Sequence, residues 1–201
     1  MNKFLFQPVF PFIINQRFGD NKACVSLYDG KTVINCDGNN PPQGYKSIYS
    51  QMKGHNGIDL HTTRWQPVYA ACDGYVVEKE TDVARGLGIG ILHNSYGEHF
   101  KTRYWHLIAM DVDIGDFVET GDLLGYADNT GYSSSDHLHF ELKKTDSKGN
   151  TLNGDNGYFG AIDPLPYMVP IFAPTAKSTL GKIKEQLATI ADKVADLLRN
   201  R

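Results

Sequence analysis

Two histidines sit in Asp136-His137-Leu138-His139-Phe140-Glu141-Leu142, where apolar residues at 138, 140 and 142 alternate with polar ones at 137, 139 and 141. Strict alternation is the pattern of a strand with one buried face, so His137 and His139 point to the same side while Leu138, Phe140 and Leu142 enter a core. Two imidazoles side by side on a rigid strand begin a metal site, although the pair alone equally describes two surface histidines. His55 and Asp59 stand four apart in Gly54-His55-Asn56-Gly57-Ile58-Asp59-Leu60, and His106 closes Tyr104-Trp105-His106. Each has a plain reading too: a capping aspartate near a solvated histidine, and a packed core histidine between bulky neighbours. Taken together they offer a set of donors. Zinc sites that hydrolyse use three N/O protein ligands and keep the fourth position for water, whose pKa falls to roughly 7. A His-Asp-His set meets that need with one anionic ligand and leaves net positive charge to face an oxyanion. Two further histidines would take the water's proton, donate to the oxyanion and protonate a leaving amine.

The elements that must hold these residues read as short strands. Residues 4–18 form the first strand and a turn through Arg17-Phe18-Gly19-Asp20. Gly54 and Gly57 lower the helix odds, so His55 and Asp59 belong on a loop running into a strand. Strands follow at Pro67–Ala71, Gly74–Lys79, Gly88–His93 and His99–Leu107, spaced as in an antiparallel all-β domain. Glycines in Val112–Gly125 suit two tight turns, and the small-residue stretch 128–136 is a loop into the histidine strand. Residues 21–54, rich in Gly, Asn and Pro, read as a long loop of the kind that is functional or mobile. His61, His93 and His99 are expected at the surface.

The domain spans 1–170, with a linker over 171–177. Beyond it, Leu180, Ile183, Leu187, Ile190, Val194 and Leu197 step as a heptad series, so 178–201 is an amphipathic helix about 36 Å long. Such a helix wants a partner for its stripe: a second copy, the domain itself, another protein or a lipid surface.

The 201 residues carry 20 Lys/Arg against 23 Asp/Glu, net −3, and residues 1–176 show no basic stripe, which argues against nucleic acid as the main partner. Cys24, Cys36 and Cys72 make no disulfide framework and are not spaced as zinc thiolates; Cys24 and Cys36 either close one loop or stay reduced. The apolar N-terminus is interrupted by Gln7, Pro8 and Pro11 and lacks a small-residue cleavage site, so it does not read as a signal peptide. No run reaches the roughly 18 apolar residues of a membrane span.

The order H-x-x-x-D, Y-x-H-L, G-D-x-V-x-x-G-x-x-x-G and H-L-H-F resembles the lysostaphin/LytM-type zinc metallopeptidases, which cut the peptide part of bacterial peptidoglycan. The likeness runs from about Phe10, with Arg17-Phe18-Gly19 similar to the family's opening motif, to Asp163-Pro164. It covers neither the 21–54 insertion nor the tail. It implies an antiparallel β-sheet groove walled by loops at 21–54, 81–87, 94–99 and 128–136. It also implies one Zn2+ held by His55, Asp59 and His139. His137 would be general base or acid, and His106 would orient the water or hold the oxyanion. The implied activity is hydrolysis of a cross-bridge or stem peptide at the cell wall. The lack of a recognisable signal, with a tail whose stripe self-association would cover, fits a phage-type hydrolase carried in a virion or released by lysis; leaderless export by a bacterial host is the rival reading. The alternative is a non-catalytic relative that binds wall or activates another hydrolase, but such relatives lose zinc ligands. Val112–Ala127 also resembles biotinyl and lipoyl carrier domains, yet its turn lacks the lysine they present.

Overall fold

The computed structural model of the protein describes residues 3–20, 54–95 and 97–169, with the backbone of 25–26 and 33–34. Strands are β1 (Ile14–Gln16), β2 (Val25–Ser26), β3 (Val33–Ile34), β4 (Ile58–His61), β5 (Pro67–Tyr69) and β6 (Gly74–Asp82). They continue as β7 (Gly86–Ser95), β8 (Glu98–Met110), β9 (Phe117–Val118), β10 (Leu123–Ala127), β11 (His137–Thr145) and β12 (Ala161–Ile162). All but β2 and β3 join one ten-stranded sheet, whose main path is β1-β4-β11-β8-β7-β6-β9. Every pairing in it is antiparallel. The all-β expectation holds, and the described residues gather into one unit that ends at Val169.

Two central strands show why the sequence folds this way. In β11 the apolar set Leu138, Phe140 and Leu142 is fully buried against Ile58, Leu60, Tyr104, Ile89 and Ile91. In β7 glycine alternates with Leu and Ile from Gly86 to Ile91, so one face packs the core and the other is bare. That bareness is needed. A Cβ on Gly88 would lie 2.1 Å from the Trp105 ring, and one on Gly90 would lie 2.3 Å from the Glu78 carboxylate. The turns expected in Val112–Gly125 are present, with left-handed glycines at Gly115 (φ 98°) and Gly121 (φ 88°).

Several expectations need correction. The first strand is only Ile14–Gln16; Leu5 makes an isolated parallel bridge with Met168. Pro8 and Pro11 lack the N–H groups that a continuous ladder requires. His106 does not end its strand but lies within β8, at a left-handed φ of 65°. His93 is fully buried rather than exposed. His61 is exposed and His99 half-buried. The 21–54 stretch contains the β2–β3 ribbon. The rest of it, with Cys24 and Cys36, and the helix expected over 178–201 lie outside the described residues. Among the described residues no helix is long and apolar enough to cross a membrane.

Candidate metal centre

Strand pairing brings the five candidate residues to one end of the sheet. In the β4–β11 ladder His139 faces Asp59 and His137 faces His61. His55 arrives on the short segment before β4, whose close approach depends on glycine: a Cβ on Gly57 would lie 2.9 Å from the His139 ring. On β8, Trp105 and His106 together oppose Gly88, because Leu87 pairs with Leu107 while Ile89 pairs with Tyr104. This extra residue is a bulge, and a bulge re-aims a side chain. It turns His106 toward β11, with its ring centroid 4.6 Å from that of His137 and 6.2 Å from that of His139. Asp128 fastens the pair through its backbone, its N–H donating to the His106 carbonyl and its carbonyl accepting from His137 N–H.

Three atoms meet at one point. His55 Nε2, His139 Nδ1 and Asp59 Oδ1 form a triangle with edges of 2.9, 2.8 and 3.1 Å. Donors at about 2.0–2.1 Å from a tetrahedral ion would be about 3.3 Å apart, close to these edges. The outer ring nitrogens explain the convergence. His55 Nδ1 reaches the Arg17 carbonyl at 3.1 Å, and His139 Nε2 reaches Glu141 Oε1 at 3.4 Å. With those nitrogens donating outward, His55 and His139 present lone pairs to each other beside a carboxylate. Two lone pairs and an anionic oxygen aimed at one point form a cation's donor set, of the N/O type suited to a divalent transition metal.

Charge agrees with geometry. Burial alone would raise the Asp59 carboxyl, but His55 and His137 beside it, and the His139 hydrogen bond, hold it well below the usual range. Burial alone would lower the His139 imidazole, but Asp59 and Glu141 push it up to about 9. The two carboxylates thus favour positive charge on this ring, and a bound cation would take the place of its Nδ1 proton. His106 behaves oppositely: burial, and secondarily His137 and His139, lower it to about 3. Its Nδ1–H donates to the Thr130 carbonyl at 2.7 Å, so Nε2 carries a lone pair. His137 likewise uses Nδ1 on the Ser135 carbonyl at 2.8 Å, leaving Nε2 3.7 Å from Asp59 Oδ2.

The profile of Peptidase family M23 matches residues 53–153, half of the chain, and spans all five of these positions. This chain belongs to Peptidase family M23. Among curated M23-type relatives, the glycyl-glycine endopeptidase ALE-1 of Staphylococcus capitis is 35% identical over 115 residues, 57% of this chain and 29% of its own length. The peptidoglycan DD-endopeptidase ShyB of Vibrio cholerae is 35% identical over 101 residues, 50% of this chain and 23% of its own. The chain thus spans under a third of the length of either. A crystal structure of a zinc-containing peptidase from Vibrio cholerae shares the fold, with a TM-score of 0.54 at 24% identity, covering 86% of this chain and 41% of that one. The M23 assignment agrees with the resemblance carried by the sequence motifs.

One member of this candidate site escaped sequence reasoning. Glu141 is fully buried, accepts from Asn56 Nδ2 at 3.0 Å, and backs His139. Burial would raise its carboxyl, but Lys143, His139 and Arg103 hold it far below the usual range. The signal was present, since residues 137, 139 and 141 share a strand face, but nothing in the sequence marks which polar neighbour turns inward.

Proposed function

We propose that this chain is a zinc-dependent endopeptidase that cleaves peptide bonds of bacterial peptidoglycan, in a cross-bridge or stem peptide, at the cell wall. The observation that carries the reading is the triangle of His55 Nε2, Asp59 Oδ1 and His139 Nδ1, with two further imidazoles, His106 and His137, beside it. His55, Asp59 and His139 would hold one Zn2+. When bound, zinc lowers the pKa of a coordinated water to roughly 7 and polarises the scissile carbonyl.

The remaining chemistry belongs to His106 and His137. A neutral His106 with its proton committed to Thr130 has only an acceptor at Nε2, and burial opposes charging it. That suits it to orient the attacking water rather than to donate to an oxyanion. His137 Nε2 lies 3.7 Å from Asp59 Oδ2 and is not committed to a backbone partner, so His137 is the better placed to carry the proton from water to leaving amine.

Metal analysis of two variants tests the division of labour. His139→Ala should lose both zinc and hydrolysis of a soluble wall peptide. His137→Ala should retain zinc while turnover falls about 10²–10⁴-fold. Equal loss of zinc in both would refute the assignment.

A further inference from the structure

The face of the sheet that carries the metal triad continues away from it as a band of charge. Directly paired residues share a face, so Trp105 lies beside His139, Arg103 beside Glu141, and Lys101 beside Lys143. Most cations of this band are buried and engaged. Lys101 and Arg103 both grip Glu78 at 2.7 Å, Arg103 also binds Glu80 at 3.0 Å, and Lys143 lies 3.2 Å from Glu141.

Arg85 is different. It comes from the turn between β6 and β7 and folds back so that its guanidinium carbon sits 4.5 Å from the centroid of the Trp105 ring. Arg103 stacks on the same indole at 4.7 Å. The Arg85 carbonyl accepts the His106 N–H at 3.1 Å, tying this turn to the bulge that aims His106. Yet 41% of its side chain is exposed, and its contact with Asp82 is a long 3.4 Å. Asp82 is also occupied in capping the turn, its Oδ1 accepting the Ala84 and Arg85 N–H groups at 2.8 Å. A guanidinium held over an indole, with one terminal nitrogen drawn to Asp82 Oδ2 at 3.4 Å, still has edge N–H donors with which to grip a carboxylate. It lies over the strand next to the one bearing His139. Adjacent strands are about 4.8 Å apart, within two residues of an extended peptide.

We infer that Arg85 is an anion subsite beside the metal centre that takes a free carboxylate of the substrate, carried on a residue next to the scissile amide. The inference rests on the peptidase reading above and narrows its substrate class. An uncharged glycine chain offers this cation nothing, whereas a cross-link whose amine-donating residue keeps a free α-carboxylate offers one beside the scissile amide, and a D-alanyl-D-alanine unit is the smallest model of it.

The test uses the full, zinc-loaded chain with N-acetyl-D-alanyl-D-alanine and its C-terminal amide, measuring both binding and cleavage. The acid should be preferred by about tenfold, the size of one charge-assisted hydrogen bond. Arg85→Ala should erase most of that preference at unchanged zinc content and melting temperature, and Arg85→Lys should keep part of it. Triglycine amide should be treated alike by wild type and both variants. A wild type without the preference, or an Arg85→Ala protein that keeps it, overturns the subsite. An Arg85-dependent binding preference in a protein that hydrolyses neither these peptides nor whole peptidoglycan would sustain the subsite and sink the endopeptidase reading instead.

Discussion

At the scale of residues, the site is a problem of lone pairs. Each of the four imidazoles has an acceptor for its outer nitrogen: the carbonyls of Arg17, Thr130 and Ser135, and the carboxylate of Glu141. Three of these partners are backbone and cannot be removed by mutation. Glu141 can. A partner of this kind fixes the tautomer and orientation of a metal-binding histidine, and its loss typically costs about 10–100-fold in metal affinity. Glu141→Gln keeps an acceptor for His139 and Asn56 but removes the charge, so zinc affinity should fall less than in Glu141→Ala. Titration against a competing chelator reads the difference. Because Lys143 and Arg103 lose a buried counter-charge in either variant, melting curves must accompany it. Unchanged zinc affinity in Glu141→Ala would show that the carboxylate serves the fold alone.

At the scale of elements, β7 and β8 carry polar machinery on both faces. The outer face holds Trp105 and the ion pairs. The core face holds a buried run: Ala71 N–H donates to the Tyr104 hydroxyl at 2.9 Å, and the Tyr104 and Thr102 hydroxyls are 3.1 Å apart. Thr102 lies 2.7 Å from His93 Nε2, and His93 Nδ1 lies 2.8 Å from the Asp73 carbonyl. Every group in this run is satisfied only if His93 is neutral, with Nδ1–H donating to Asp73 and Nε2 accepting from Thr102. Burial accordingly lowers His93 from 6.5 to about 4. The unfolded chain binds a proton there between these values and the folded one does not, so the contribution is complete above pH 6.5 and is lost as pH falls toward 4. About 2 kcal/mol of it should be gone by pH 5. Urea unfolding at pH 7 and pH 5 should show a smaller acid loss in His93→Gln, which cannot charge, than in wild type. Identical losses in the two would remove His93 from the account.

At the scale of the whole molecule, a compact β unit ending at Val169 carries all five candidate residues, and the chain continues for a further stretch with a net charge of opposite sign. Residues 177–201 hold six Lys/Arg and three Asp/Glu, net +3, which leaves 14 against 20, net −6, for residues 1–176. The heptad spacing of the tail asks for a partner outside the metal centre. Deleting 177–201 should therefore lower the number of chains per particle and leave hydrolysis of a soluble wall peptide intact, as read by light scattering and a peptide assay. An unchanged number of chains per particle would dispose of self-association through the tail.

Local pattern determined much of this protein. Alternation in 137–142 placed two imidazoles on one face, paired glycines set the turns of Val112–Gly125, and the four motifs in order carried the family, its fold and its candidate ligands. Tertiary structure decided what alternation cannot express. A bulge that opposes Trp105 and His106 to Gly88 exists only once two strands are in register, and without it His106 would point elsewhere. His93 and Glu141 look like any polar residue on a strand until the neighbours that bury them are in place. The same holds for Arg85, whose role follows from an indole twenty residues away in the chain. Period-two patterning reports which face a residue takes; only cross-strand contacts report what waits for it there.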